Sequence, residues 1–311
     1  MIATRDQVRQ DLRVWMARTG WSLQEIAEGS GYARQTLAQF VSGARFGDAS
    51  DQGETAQKLA GFLAANPAPL PEFPPGKFYE TESTRAMRGL VADAREGVWG
   101  TCYGPAGAQK SFLFETVYAE SVREENPWCA LVTVPDMGMT PRGLLAEIAR
   151  AMGAPYAWQT SSLRRAILYE LRRRQVSLAV VIDEAQRLYP MLDTLECLRG
   201  LGDLAHGRLG ILVVGNEDVL NLFEPRRRSS MEQWRSRIEQ RRMRVLGPTE
   251  REARQIATSE LGAMSEKQLE FLMEKSSVTD PLSPKRRYVN MRRLFNAMRD
   301  YRRERAKQKV Q

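Results

Sequence analysis

Between residues 98 and 215 the chain alternates short, almost uninterrupted apolar runs with longer amphipathic stretches. The apolar runs lie at 98–103, 129–134, 178–182 and 209–215. The stretches between them, near 111–124, 141–152, 162–174 and 191–205, repeat apolar residues at helical spacing. A strand that is apolar on both faces is buried on both faces. The alternation therefore predicts a parallel sheet with helical crossovers covering each side. Residues 1–65 read as short helices. Beyond Pro248 the strand signal fades into three helical segments near 249–261, 265–275 and 288–307. Residues 66–77 hold five prolines in twelve positions, which predicts an extended, semi-rigid connector. The predicted organisation is an all-α module at 1–65, a linker at 66–80, an α/β core at 81–247 and a helical C-terminal subdomain at 248–311.

The chemistry sits where the apolar runs stop. The first runs directly into Gly104-Pro105-Ala106-Gly107-Ala108-Gln109-Lys110-Ser111, and a helical stretch follows. Strand, glycine-bearing loop and helix is the order of a phosphate-binding P-loop, whose backbone amides and helix N-terminus cradle an anion. Lys110 would reach the β- and γ-phosphates of ATP and the Ser111 hydroxyl would help hold Mg2+. The usual spacing is G-x-x-x-x-G-K-[ST]. Here Gln109 stands where the glycine before the lysine is expected. The third run ends in Asp183-Glu184, at the strand end where such sheets bind ligands. Asp183 would hold Mg2+, directly or through water, and Glu184 would orient or activate the attacking water. The fourth run ends in Asn216, either a helix cap or a contact to the γ-phosphate or the water.

Residues 22–40 read as two short helices joined by a tight turn. Leu23, Ile26 and Ala27 form one apolar face, Leu37 and Phe40 the other, and Gly29 and Gly31 suit the turn. This predicts a helix-turn-helix whose second helix exposes Arg34, Gln35, Thr36 and Gln39, side chains able to bond base edges or phosphates of double-stranded DNA.

Charge changes the picture only at the end of the chain. The net charge is +8, yet from Lys285 to Gln311 eleven Lys or Arg face two acids, so the rest is close to neutral. A basic tail containing Arg302 and Arg303, together with Arg226-Arg227-Arg228 and the arginines between 235 and 244, suits a polyanion. Cys102, Cys129 and Cys197 are far apart and suit buried thiols in a reducing cytoplasm, with no metal-binding pattern. No apolar run is long enough to span a bilayer and the N-terminus lacks an apolar signal core. The expected location is cytoplasmic, with no membrane partner.

The loop at 104–111, the Asp183-Glu184-Ala185-Gln186 run and the strand ending Gly215-Asn216 resemble, in order and rough spacing, the AAA+ ATPases of the transposition-helper type. With the helix-turn-helix module and proline-bearing linker ahead of the core, the chain resembles the transposition protein B family of phage Mu and related transposable phages. The resemblance implies a P-loop AAA+ core with a helical C-terminal lid. It implies an ATP-bound homo-oligomer, a helical filament on double-stranded DNA, that delivers target DNA to a transposase and stimulates strand transfer. It also implies that Arg237, or Arg235 beside it, acts on a neighbouring subunit's ATP as an arginine finger, and that Arg292 is a second sensor arginine. Two alternatives stand beside it. One is a helix-turn-helix regulator with a degenerate nucleotide site, suggested by Gln109. The other is an ATPase that loads or remodels a helicase complex.

Overall fold

The computed structural model describes residues 4–19, 21–43, 49–67, 77–124, 127–154, 159–174, 177–223, 229–280 and 282–308. Its centre is a five-stranded sheet of β1 (Trp99–Tyr103), β2 (Cys129–Thr133), β3 (Leu178–Asp183), β4 (Leu209–Gly215) and β5 (Arg242–Arg244). The strand order is β2-β3-β4-β1-β5 and all neighbours are parallel. Every residue of β3 and β4 is buried, which is what their unbroken apolar runs require. Alternate residues serve opposite faces. Val180, Ile182, Ile211 and Val213 pack on one side with α7 (Pro141–Ala151), α8 (Thr160–Arg174), α9 (Leu192–Leu204) and α10 (Ser229–Ile238). Val181, Leu212, Val214 and Cys102 pack on the other with α5 (Glu82–Arg95) and α6 (Lys110–Ser121). The three cysteines are buried free thiols.

The N-terminal module packs α1 (Arg5–Thr19), α2 (Leu23–Ser30), α3 (Arg34–Ser42) and α4 (Ala49–Ala65) around Leu12, Ile26, Leu37, Phe40 and Leu59. Ser22 caps α2 in a reciprocal capping box with Glu25, and Gly31 ends it at φ 74°. Gly29 lies inside α2 instead of in the turn. A side chain there would press on Phe62 at 3.2 Å. The module is tied to the core. Arg13 donates to Val41 O at the end of α3 and, at 3.1 Å, to the fully buried Glu170 of α8.

Beyond the sheet, α11 (Glu250–Leu261), α12 (Glu266–Ser276) and α13 (Met291–Gln308) share a separate core around Ile256, Leu272, Leu294 and Met298. The expectation of helices alone after 248 needs correction. A two-stranded antiparallel hairpin, β6 (Ser277–Asp280) and β7 (Ser283–Val289), lies between α12 and α13. Much of the linker at 66–80 falls outside the described residues. Its last positions are pinned: Lys77 pairs with Glu260 at 3.0 Å and Tyr79 is buried among the lid residues. No helix of the described residues is long and apolar enough to cross a membrane.

Candidate nucleotide site

The loop 104–109 leaves β1 at the carboxyl edge of the sheet and enters α6 at Lys110. Its base is fixed on both sides: Gly104 N donates to Gly215 O at 3.2 Å, and Val245 N donates to Tyr103 O at 2.7 Å. No side chain caps the N-terminus of α6. Its first amides and the positive end of its dipole therefore face the loop, as an anion site requires. Gln109 sits immediately before the helix at φ 64° and ψ 16°, in the left-handed region that glycine normally occupies. The departure from the usual loop sequence is thus a departure at a strained backbone position. The Gln109 Nε2 is buried and has no hydrogen-bond partner within the chain.

The four residues expected to converge do so. Ser111 hydrogen-bonds the Asp183 carboxylate, and Asp183 and Glu184 both act electrostatically on Lys110. Burial raises the Asp183 pKa, against the stabilising bonds from Ser111 and from Glu184 N at 2.9 Å. Burial likewise lowers the Lys110 pKa, partly offset by the acids around it. Lys110 Nζ donates to the carbonyls of Gly104 (2.7 Å) and Pro105 (3.0 Å). A cation folded over its own loop, an uncapped helix start and a hydroxyl–carboxylate pair beside it fit a triphosphate with Mg2+.

Glu184 also holds a left-handed backbone, at φ 56°. Its Oε2 accepts from Gln186 Nε2 at 2.7 Å and lies 3.4 Å from Arg187. Asn216 is half-buried at the end of β4. Its side chain bonds Asp218 N (2.9 Å) and Asp218 Oδ2 (3.1 Å), which caps the turn after the strand.

The C-terminal lid reaches the same loop. Asn290 Nδ2 donates to Ala106 O at 2.7 Å and Met291 N donates to Gly107 O at 3.1 Å. A Cβ on Gly107 would stand 2.3 Å from the Asn290 side chain, so only glycine admits this contact. Arg292 follows in the first turn of α13, exposed. Sequence reasoning singled out this arginine and missed Asn290, the residue that joins lid to loop.

The protein-family model described as "AAA domain" matches residues 95–223, which run from before β1 to the turn after β4. Among solved structures the chain is similar to Cdc6p from Pyrobaculum aerophilum, with a TM-score of 0.52, 18% identity and coverage of 69% of this chain and 60% of that one. It is also similar to the Aeropyrum pernix ORC1 protein solved in complex with DNA (TM-score 0.46, 15% identity, 70% and 58% covered). A third is AMPPCP-bound DnaA from Aquifex aeolicus (0.43, 16%, 74% and 68%). The chain thus spans about 60% of the Cdc6p chain it resembles in fold. A search of curated proteins returned no match.

Around the candidate site the arginines divide sharply. Arg237 lies at the opposite, amino edge of the sheet, stacked 4.5 Å over Trp99 and paired with Asp203. Arg235 is half-exposed, lies 3.8 Å from Glu239, and lines a cleft with Glu217 and Asp218 beyond the end of β4. Arg244, counted by sequence within a basic patch, is bound instead: it grips the buried Asp280 at 2.6 and 2.7 Å and Glu217 at 3.2 Å. This ties the hairpin to the residue after Asn216. The pairing pushes the Asp280 carboxyl down to about 2. Arg302 reaches Glu260 at 2.8 Å, whereas Arg303 is exposed, 4.0 Å from Asp300. Arg173 pairs with Glu170. Arg226, Arg227 and Arg228 lie outside the described residues. In the helix-turn-helix, Arg34 and Gln35 are exposed at the start of α3, while Thr36 and Gln39 are half-buried.

Proposed function

We propose that the chain is an ATPase that assembles on double-stranded DNA in its ATP-bound form, delivers that DNA to a transposase and stimulates strand transfer. The observation that carries the reading is the convergence of Lys110, Ser111, Asp183 and Glu184 at one sheet edge, with the lid helix hydrogen-bonded to the same loop. Lys110 exchanges its loop carbonyls for the β- and γ-phosphate oxygens. Ser111 and Asp183 would hold Mg2+, which would supply positive charge to offset that of the triphosphate. Glu184 orients the attacking water and accepts its proton. Arg292 stands at the lid's entry to the loop, where it senses the γ-phosphate. Of the two finger candidates, Arg235 is favoured over Arg237, because Arg237 is held at the far edge by Trp99 and Asp203.

DNA contact falls to Arg34 and Gln35 on α3, with Thr36 and Gln39 beside them and Arg303 on the tail. The partners are double-stranded DNA, a transposase and further copies of the chain in a helical filament. The test is imaging of the full chain on non-specific duplex DNA with ATP, with ADP and without nucleotide. The expected result is long assemblies with ATP alone, and none for Lys110→Ala. Equal assemblies under all three conditions would overturn the reading. A strand-transfer assay with a cognate transposase then tests delivery.

A second reading follows from Gln109 in its strained position: a helix-turn-helix regulator whose nucleotide site no longer turns over. It predicts one sharp consensus when bound duplexes are selected from a random pool. The ATPase reading predicts a flat outcome.

A further inference from the structure

Glu184 does not stand alone at the end of β3. Its Oε2 accepts a hydrogen bond from Gln186 and pairs at 3.4 Å with Arg187, both in the 3-10 turn that follows (Ala185–Leu188), and each partner connects it to a different strand. Arg187 ties it to the end of β2, donating to Val134 O at 2.7 Å and pairing with Asp136 at 2.8 Å. Gln186 ties it to the end of β4. Its Nε2 donates to Glu184 Oε2 at 2.7 Å, while its Oε1 accepts from Asn216 N at 3.4 Å. The amide can serve both only in this orientation, because a flipped amide would turn its oxygen on the carboxylate and its NH2 on another donor. The strand end leaves space for it. A Cβ on Gly215 would lie 2.2 Å from Gln186 Oε1, so the absence of a side chain at the last residue of β4 makes room for this amide.

We infer that Gln186 is a positioning residue for hydrolysis: it fixes the Glu184 carboxylate and couples that position to the end of β4. This rests on the ATPase reading above. It assigns the strand end at Gly215-Asn216 a route to Glu184 that needs no direct contact between Asn216 and the water. A shift of Asn216 toward or away from a nucleotide moves the Gln186 carbonyl, and the amide carries that shift to the carboxylate.

The test is a double-mutant cycle on the full chain, with ATP turnover and the binding of a fluorescent ATP analogue measured separately. Gln186→Glu keeps the shape and the acceptor but replaces the donor. Turnover is expected to fall about tenfold while analogue affinity stays within about twofold, the split that marks a group acting on the chemical step. Gln186→Leu, which removes both bonds at similar volume, is expected to do the same. In a Glu184→Gln background neither substitution should lower turnover further, because its target is already gone. Wild-type turnover in Gln186→Glu, or an equal loss with and without the Glu184 carboxylate, would overturn the proposal. Failure of the underlying reading looks different: Glu184→Gln itself would then leave turnover unchanged.

Discussion

The N-terminal helical module and the carboxyl edge of the sheet both turn the backbone through the left-handed region, and they do so with different residues. In the N-terminal module the turns after α2 and α3 use Gly31 at φ 74° and Gly43 at φ 82°. At the carboxyl edge of the sheet the same region is held by Gln109 at φ 64° and Glu184 at φ 56°. A side chain in this conformation costs about 1–2 kcal/mol. The module uses glycine and avoids that cost, so its turns serve packing. The edge accepts the cost twice within one site, which is the pattern of strain held where a side chain has work to do. The third non-glycine in this region among the described residues, His206, precedes Gly207 at the opposite edge of the sheet, so strain alone does not mark a site. What distinguishes Gln109 and Glu184 is the company of Lys110, Ser111 and Asp183.

The largest effect should come from removing the cation. Lys110→Ala is expected to cut ATP turnover by at least about a hundredfold, the scale for losing one preorganised charge partner, read by phosphate release. Glu184→Gly comes next and separates strain from chemistry. Turnover should fall by about a hundredfold or more while the melting temperature does not drop, because the glycine relieves the backbone as it deletes the carboxylate. Gln109→Gly tests the other strained position. It should stabilise the chain by about 1 kcal/mol in denaturant unfolding and tighten ATP binding; an unchanged midpoint would show that the loop holds no strain there. Gly31→Ala is the mirror experiment. No atom lies within 4 Å of the added methyl, so only the backbone objects and the module should lose about 1 kcal/mol. DNA-free ATP turnover should be untouched.

The smallest effect concerns the lid clasp. The Asp280 carboxyl is held down to about 2 by Arg244, below the ordinary value of about 3.9. Its stabilising contribution is therefore complete above about pH 4 and is lost as pH falls toward about 2. Asp280→Asn should melt below the wild type at neutral pH, and the gap should close across that acidic window. A gap that persists at pH 2 would show that packing, not charge, secures the hairpin.

The sheet was legible because burial on both faces leaves an unambiguous mark: β4, and β3 up to its terminal Asp183, are apolar without interruption. The carboxyl-edge acids and the loop were legible because each follows directly from such a run. β5 was not, because its three residues, Arg242-Met243-Arg244, lie at the sheet edge with only partial burial. The β6–β7 hairpin was hidden for a related reason. Ser283–Val289 buries only Tyr288 and Val289, so its sequence reads as a basic run. α5 did carry a signal, with Met87, Leu90, Val91 and Ala94 at helical spacing. Its site role is indirect, in backing the sheet. Asn290 and Arg244 were illegible as site residues because their partners, Ala106 and Asp280, are distant along the chain; Gln186 stood in the quoted Asp183–Gln186 run, but its bond to Asn216 was illegible for the same reason. Local spacing reveals which residues can do chemistry. It does not reveal which residues hold them.

The claim on which everything else depends is that one triphosphate–Mg2+ unit binds where Lys110, Ser111 and Asp183 meet. Calorimetric titration of the full chain with ATP, with and without Mg2+, tests it directly, using wild type, Lys110→Ala and Asp183→Asn. The account predicts Mg2+-dependent binding by the wild type, no detectable binding by Lys110→Ala, and loss of the Mg2+ dependence alone in Asp183→Asn. Wild-type binding by both variants would contradict it.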